Sequence, residues 1–541
     1  MTKLLIKYRY LVIVISVAIG IGGIAMLPRM KTDPDIRNYI PSEMESRLNT
    51  DRIEKEFGLQ DMIMIVFKDS CILTPSNLKR IKNTDRQLEN LKSIDNTISL
   101  FNTRRIYGEE GMMIVDPAVK RFPENKEEIE ILKDQLKNNP LAMGTVVSED
   151  FKMSAIAATI SKEIDENIIL EEIDSVVNAN PGSADVYFGG LPYIRQAILK
   201  DVRRDGLILV PLALLIMLGF LWFAFREWRG MVLPFTIVVL SIAFAMGLTP
   251  IIGWKLSILS LIIPIMLIAV ANDYGIHMIA KYQELISDNH ADSNVSIVQT
   301  MVKKLRLPVV FTGLTTIAGI LGLLAHSIIP ARHVGVLASA GIALAVLLTL
   351  FFLPAWLSLL PKSKPLIGGD KISESLLDKS LAKLSHSVTS RPVRVMVISA
   401  FLTAGFAIGI LFIKVDGNQE NFFPSKHPVK QASLLINQHF GGSQSISVMI
   451  QGDVKEPEIL RTMDRWTTEM KAMEGVGDSY SIATVLKEMT KALYDEHEKG
   501  YNRIPDSRQA VAQILEIYNM SGDPEDLTGL WISIIPGLTL W

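Results

Sequence analysis

The run Leu267–Met278, LIAVANDYGIHM, sets one carboxylate, Asp273, among residues that mostly avoid water. A charged Asp in the middle of a membrane-crossing helix costs roughly 2.5–3.5 kcal/mol on insertion scales, so whether this run crosses a bilayer decides both the fold and the purpose of the acid. It lies within one of seven apolar stretches near the roughly 20 residues of helix that cross about 30 Å of hydrocarbon. They run from about Tyr10 to Leu27, Gly206 to Phe225, Met231 to Trp254, Leu256 to Ala280, Leu307 to Ala325, Val334 to Leu360 and Val395 to Ile413. Composition agrees: 49% of the 541 residues are hydrophobic and the mean hydropathy is +0.28, high for a soluble chain of this length. The expected fold is a membrane α-helical bundle of seven transmembrane helices.

The first stretch follows Lys3, Lys7 and Arg9 but is too long for a signal core, lacks a small-residue cleavage pattern before Arg29, and is followed by six more. It is read as a helix that stays. A net charge of −2 gives no reason to expect a nucleic-acid partner, and the basic residues serve to orient the chain. With the N-terminus in the cytoplasm, Arg226, Arg229, Lys281, Lys303, Lys304, Arg306 and the basic residues from Lys362 to Arg394 fall inside. The short outer loops carry only Lys255 and Arg332. Two long polar segments, about Pro28 to Asp205 and Lys414 to Trp541, are then extracytoplasmic, although Arg29, Lys31, Arg203 and Arg204 flank spans on that side. Cys71 is the sole cysteine, so the outer segments must rest on an ordinary buried core without an internal disulfide.

An internal repeat organises the chain. KTDPDIRNYIPSEMESRLNTDRIEKEFG from Lys31 aligns without a gap on KVDGNQENFFPSKHPVKQASLLINQHFG from Lys414, an offset of 414 − 31 = 383. Lys31, Asp33, Asn38, Pro41, Ser42, Ile53, Phe57 and Gly58 recur at that spacing, and VIS at Val14 recurs at Val397. The unit repeated is a membrane helix followed by an outer domain. In the first outer domain, DMIMIVF from Asp61, FKMSAIAATI from Phe151 and ADVYFGG from Ala184 read as strands. Asn77 to Leu91 and Glu166 to Val177 read as helices, with a helical insertion near Glu127 to Lys137. That order predicts an α+β domain of βαββαβ, ferredoxin-like type.

The resulting division is transmembrane helix 1 at 1–29, a first extracytoplasmic domain at 30–205, helices 2–6 at 206–361, a cytoplasmic linker at 362–392, helix 7 at 393–413 and a second extracytoplasmic domain at 414–541. Under the offset Trp541 corresponds to Ala158, inside a predicted strand. The second domain is therefore expected to be incomplete, with poorly covered strand edges, and the chain to be an unfinished transporter or one whose missing repeat is supplied by a second polypeptide or by a homo-oligomer.

YFGGLPYIRQAILKDVRRD leading into span two, NDYGIHMIAKY in span four, FTGLTTIAGILGLL in span five and GVLASAGIALAVLLTLFFLPAWLSLLP in span six resemble the RND superfamily of transporters, and within it the MMPL and hydrophobe exporter branch, whose five-helix bundle is related to sterol-sensing domains. The resemblance covers Met1 to about Gly452. It implies RND-like architecture, porter-like outer domains in a cell membrane, proton-driven export of hydrophobic or lipid-like molecules, and proton coupling at the pair matching Asp273 and Tyr274. The family's G-x-G before that pair is replaced here by Ala269 and Ala271, followed by Asn272.

Spacing adds His277, one turn beyond Asp273 on the same helix face, to a proton relay of Asp273, Tyr274 and His277. Desolvation favours the protonated acid, which can load from one side and release to the other after a conformational change. The alternative is a solvated helix end beside Lys281, since Ser257 to Asp273 is 16 residues, or about 24 Å of helix. Asn272, Thr312, Thr315 and Thr316 are possible relay neighbours, although membrane threonines often bond back to their own helix. Gly313, Gly319 and Gly322 on span five, and Gly335, Ser339 and Gly341 on span six, read as close-packing positions. No phosphate loop, zinc-spaced His/Cys set or nucleophile elbow is present, so no cofactor, metal or enzymatic activity is expected. The expected partners are membrane lipids, a hydrophobic or amphiphilic substrate and protons. Two other readings stay open: a sterol-sensing-like membrane sensor or scaffold that does not transport, and an auxiliary protein-export component.

Overall fold

A computed structural model describes residues 2–33, 36–57, 61–161, 164–288, 293–363, 376–414, 416–444, 446–523 and 527. In chain order, α1 (Thr2–Lys7) and α2 (Arg9–Met26) precede a polar segment of α3 (Glu45–Phe57), β1 (Met62–Lys68), α4 (Pro75–Glu89), β2 (Ile94–Ile98), β3 (Arg104–Glu109), β4 (Met112–Pro117), α5 (Lys126–Lys137), β5 (Met153–Ile160), α6 (Glu166–Ala179) and β6 (Asp185–Gly189). The bundle follows as α7 (Leu191–Phe225), α8 (Trp228–Ile252), α9 (Ile262–Asp288), α10 (Asn294–Leu321), α11 (Ile329–Leu347) and α12 (Leu353–Leu359). Then come α13 (Leu376–Ser390), α14 (Pro392–Gly409), and α15 (Pro428–His439), α16 (Pro457–Lys471), α17 (Ile482–Leu493) and α18 (Arg508–Ser521). Two compact units result: residues 1–41 with 199–417, and residues 42–198 with 418–541.

Among the described residues seven helices are long and apolar enough to cross a membrane, matching the seven stretches read from the sequence. α8 and α11 are the most buried of these, while α14 presents its apolar surface on all sides, as a helix solvated by lipid does. Helices approach where side chains are absent. A Cβ on Gly23 would stand 2.4 Å from the Ala243 carbonyl oxygen, and one on Gly247 2.5 Å from that of Gly23, so α2 and α8 touch backbone to backbone. Gly341 on α11 faces Leu267 of α9 and Ala245 of α8 at one level. At the opposite end of these helices the Tyr282 hydroxyl donates to Asn294 Oδ1 at 2.7 Å, and the Asn294 amide donates to the Leu357 and Leu360 carbonyls at 2.8 Å, tying α9, α10 and α12 together.

Between α11 and α12 the helix widens into one π turn, Leu348–Phe352, where the Leu353 N–H donates to the Leu348 carbonyl. Pro354 supplies the cause: it has no N–H to donate, and its ring would crowd the carbonyl four residues back in an ordinary α-helical register.

In the second unit β1, β2, β5 and β6 form an antiparallel sheet in the order β2-β5-β1-β6. The two-residue side-chain period divides it. Ile63, Ile65 and Phe67 of β1 pack with Leu78, Ile81 and Leu88 of α4 and Ile169 and Ile173 of α6, while Val66, Met153 and Ala155 face the other way. That second face is covered from the other repeat: Ile436 and Phe440 of α15 lie on it. A Cβ on Gly189 of β6 would stand 2.2 Å from Ile436 Cδ1, so the missing side chain leaves room for Ile436 on the sheet.

The repeat is visible in the elements. α14 begins and ends 383 residues after α2 (392 − 9 = 383), α15 begins 383 residues after α3, and α16 and α18 follow α4 and α5 at that offset to within one residue. Strands do not follow: the described residues of 418–523 form helices and no strand, in contrast to the α+β pattern expected there. Residues 446–450, counterpart of β1, carry no ladder, and Ile446 is 93% exposed where its counterpart Ile63 is fully buried. A strand needs neighbours to saturate its backbone, and none of the described residues supplies one here. The tail LWISIIPGLTLW lies outside the described residues.

Candidate functional site

α9 carries the acid through the bundle and runs on to Asp288, so Asp273 sits near mid-helix, with no helix end at Asn272. Gly275 sets its orientation: a Cβ there would lie 2.8 Å from Pro234 Cβ, so this face of α9 is pressed onto α8. Ala271, Tyr274, Met278 and Tyr282 are buried with it. Asp273 and His277 emerge on another face, with side chains 55% and 65% exposed, and His277 Nε2 stands 3.4 Å from Asp273 Oδ1. The i and i+4 spacing thus brings acid and imidazole together.

Tyr274 points inward instead. Its hydroxyl is buried without a well-formed hydrogen bond among the described residues, with Thr316 as its polar neighbour. Thr316 donates to the Thr312 carbonyl at 2.8 Å, and Thr315 donates to the carbonyls of Phe311 and Thr312. The hydroxyls of Thr315 and Thr316 are therefore spent on their own helix, while Thr312 is exposed on α10. Asn272 is also buried, and its Oδ1 accepts nothing from the described residues.

The polar unit holds a charged cluster that carries no sequence signature. Arg195, 5% exposed at the start of α7, pairs with Asp61 and donates to Glu166 Oε2 at 2.6 Å, while the Tyr193 hydroxyl donates to Asp174 at 2.8 Å. The buried guanidinium, paired with two carboxylates, ties the start of α7 to the residue before β1 and to α6 within this unit. Its stretch, YIRQAI, gives no sign that the arginine turns inward.

Seven apolar helices, an acid set into the fourth, and a sheet-bearing polar segment between the first and second define a multi-pass membrane protein. The MMPL family model matches residues 51–395, and the chain belongs to that family. It is 27% identical over 338 residues to a Streptomyces coelicolor membrane protein, covering 59% of this chain and 46% of the relative. A Methanocaldococcus jannaschii membrane protein is 21% identical over 360 residues, covering 64% of this chain and 88% of the relative. A second Streptomyces coelicolor membrane protein is 23% identical over 356 residues, covering 62% and 49%. The chain thus spans about half the length of the two Streptomyces relatives and most of the archaeal one.

Proposed function

We propose that the chain is an RND/MMPL-type secondary transporter, or part of one, that couples proton movement through Asp273 to export of hydrophobic or lipid-like molecules across a cell membrane. The observation that carries this reading is the Asp273–His277 contact on an apolar helix. An ionised carboxylate there is costly, whereas protonation removes the charge, so the pair alternates between a charged, mutually attracted state and a neutral one. His277 accepts or returns the proton one helical turn away, and Tyr274 supplies a hydroxyl on the adjoining face. A charge carried through 100 mV yields about 2.3 kcal/mol, enough to bias a cycle in which the outer units change access.

In this reading the sheet unit is an extracytoplasmic, ferredoxin-like porter domain and α13 belongs to the cytoplasmic side. The test is Asp273→Asn in the complete protein, assayed for proton-dependent export of a labelled lipid from proteoliposomes. Abolished transport with normal abundance is expected; unchanged transport would overturn the relay and favour the sensor or scaffold reading.

A further inference from the structure

Three segments far apart in sequence meet at one end of the helix bundle. Trp254, just past α8, stacks on His333 near the start of α11, with ring centroids 3.9 Å apart. The chain after α2 comes to the same place. The Leu256 N–H donates to the Lys31 carbonyl at 2.8 Å and the Asp33 N–H to the Leu256 carbonyl at 2.7 Å, a parallel bridge that sets Lys31 beside Lys255. Arg332 Nε donates to the His326 carbonyl at 2.6 Å, tying the loop before α11 to the first turn of that helix. Lys31, Lys255 and Arg332 are thereby gathered at this end, each one residue from a bridging or stacked neighbour.

All three side chains are exposed, and neither the two ammonium groups nor the terminal guanidinium nitrogens donate to any of the described residues. Nothing nearby balances them. No acid occurs between Gly247 and Ser260 or between Gly319 and Val334. Asp33 already accepts from the Asn38 amide at 2.8 Å, and Asp35 lies outside the described residues. On the membrane side of the cations the helices expose Ile251 and Ile252 at the end of α8, Leu324 just after α10 and Ile329 at the start of α11. Cations above an apolar belt match a lipid headgroup above its acyl chains, whereas a soluble anion has no use for the belt.

We propose that Lys31, Lys255 and Arg332 bind the phosphate of an anionic phospholipid in the leaflet at this end of the bundle, with its acyl chains along Ile252 and Ile329. The guanidinium offers paired donors to two phosphate oxygens, and the ammonium groups add two point charges. Trp254 supplies the aromatic ring that membrane proteins place at the bilayer boundary. Lys255 and Arg332 are also the only lysine and arginine of the short outer loops, where positive charge does nothing to orient the chain; phosphate recognition gives them a use. The site rests on the helices crossing a bilayer and is independent of the relay at Asp273.

The test titrates the full-length chain, purified in a nonionic detergent, with phosphatidylglycerol or phosphatidylcholine of the same acyl chains, and counts bound lipid by native mass spectrometry. Lys31→Gln, Lys255→Gln and Arg332→Gln should each weaken the tightest phosphatidylglycerol site about fivefold and leave phosphatidylcholine binding unchanged. Lys303→Gln, which removes an exposed cation near the opposite end of α10, should leave that site as it is. Arg332→Gln also removes the tie to the His326 carbonyl, so the two lysines decide the matter. Unchanged affinity in both lysine variants, or an equal loss in Lys303→Gln, would overturn the site. Glycerol 3-phosphate, the headgroup chemistry without tails, should not displace the lipid; displacement at comparable concentration would make this a soluble-anion site and overturn the lipid assignment. The expected losses together with a silent Asp273→Asn would uphold the lipid site and remove only the relay.

Discussion

His277 Nε2 lies 3.4 Å from Asp273 Oδ1, one turn along α9, and both side chains are more than half exposed at the surface of the bundle. An acid and an imidazole on the outer face of an apolar helix are either covered by other protein or neutralised by a proton. If the proposed relay holds, His277→Gln in the complete protein should shift the pH dependence of proton-coupled transport while leaving measurable activity, in contrast to the loss expected for Asp273→Asn. A pH profile identical to that of the unmodified protein would show that the imidazole takes no part.

The contact of Gly23 with the Ala243 carbonyl, 2.4 Å from a would-be Cβ, holds α2 on α8. Gly23→Val should cost about 1–3 kcal/mol through overpacking and lower the amount of folded protein recovered in mild detergent. Gly22→Ala, where a Cβ meets nothing within 4 Å, serves as the control and should be neutral.

Ile436 of α15 is fully buried against the sheet of the first polar segment. Ile436→Ala should destabilise the polar unit by about 2–5 kcal/mol, read as an earlier unfolding transition of the full chain. An unchanged transition would mean that the second repeat does not hold that face shut.

Asp69 accepts hydrogen bonds from the Asn77 amide at 2.9 Å, the Ser183 hydroxyl at 2.8 Å and the Ser70 N–H at 2.6 Å, which together hold its carboxyl down to about 2. A depressed carboxylate stabilises the fold above its unfolded value of 3.8, and that contribution is lost as pH falls through about 2. The difference in unfolding temperature between the unmodified chain and Asp69→Asn should be constant near neutrality and vanish across this window. A difference independent of pH would show that the hydrogen bonds, and not the charge, matter.

Placement of the polar unit outside the cytoplasm can be tested at the β3–β4 turn, where Glu110 and Gly111 both have positive φ and stand clear of other atoms at the tip. Glu110→Cys in a Cys71→Ser chain should react with an impermeant reagent in intact cells. Reaction only after permeabilisation would invert the topology.

The spans, the acid and the repeat were legible because each depends on local composition or fixed spacing: apolar length sets a membrane helix, and i to i+4 brings His277 onto Asp273 whatever surrounds them. β1, β5 and β6 were legible from their apolar runs. The β3–β4 hairpin was not, since its turn is Glu110–Gly111, where a hairpin is ordinarily announced by Asn-Gly or Asp-Gly. Sequence could not say which way Asn272, Tyr274 and Arg195 point, nor that Thr349 would sit in a π turn, because facing is set by what neighbouring helices leave open. Only the tertiary structure decided that α15 of the second repeat closes the sheet of the first, and that 446–450, the counterpart of β1, forms no ladder with the described residues. A strand is completed by partners distant in sequence, and no local pattern contains them.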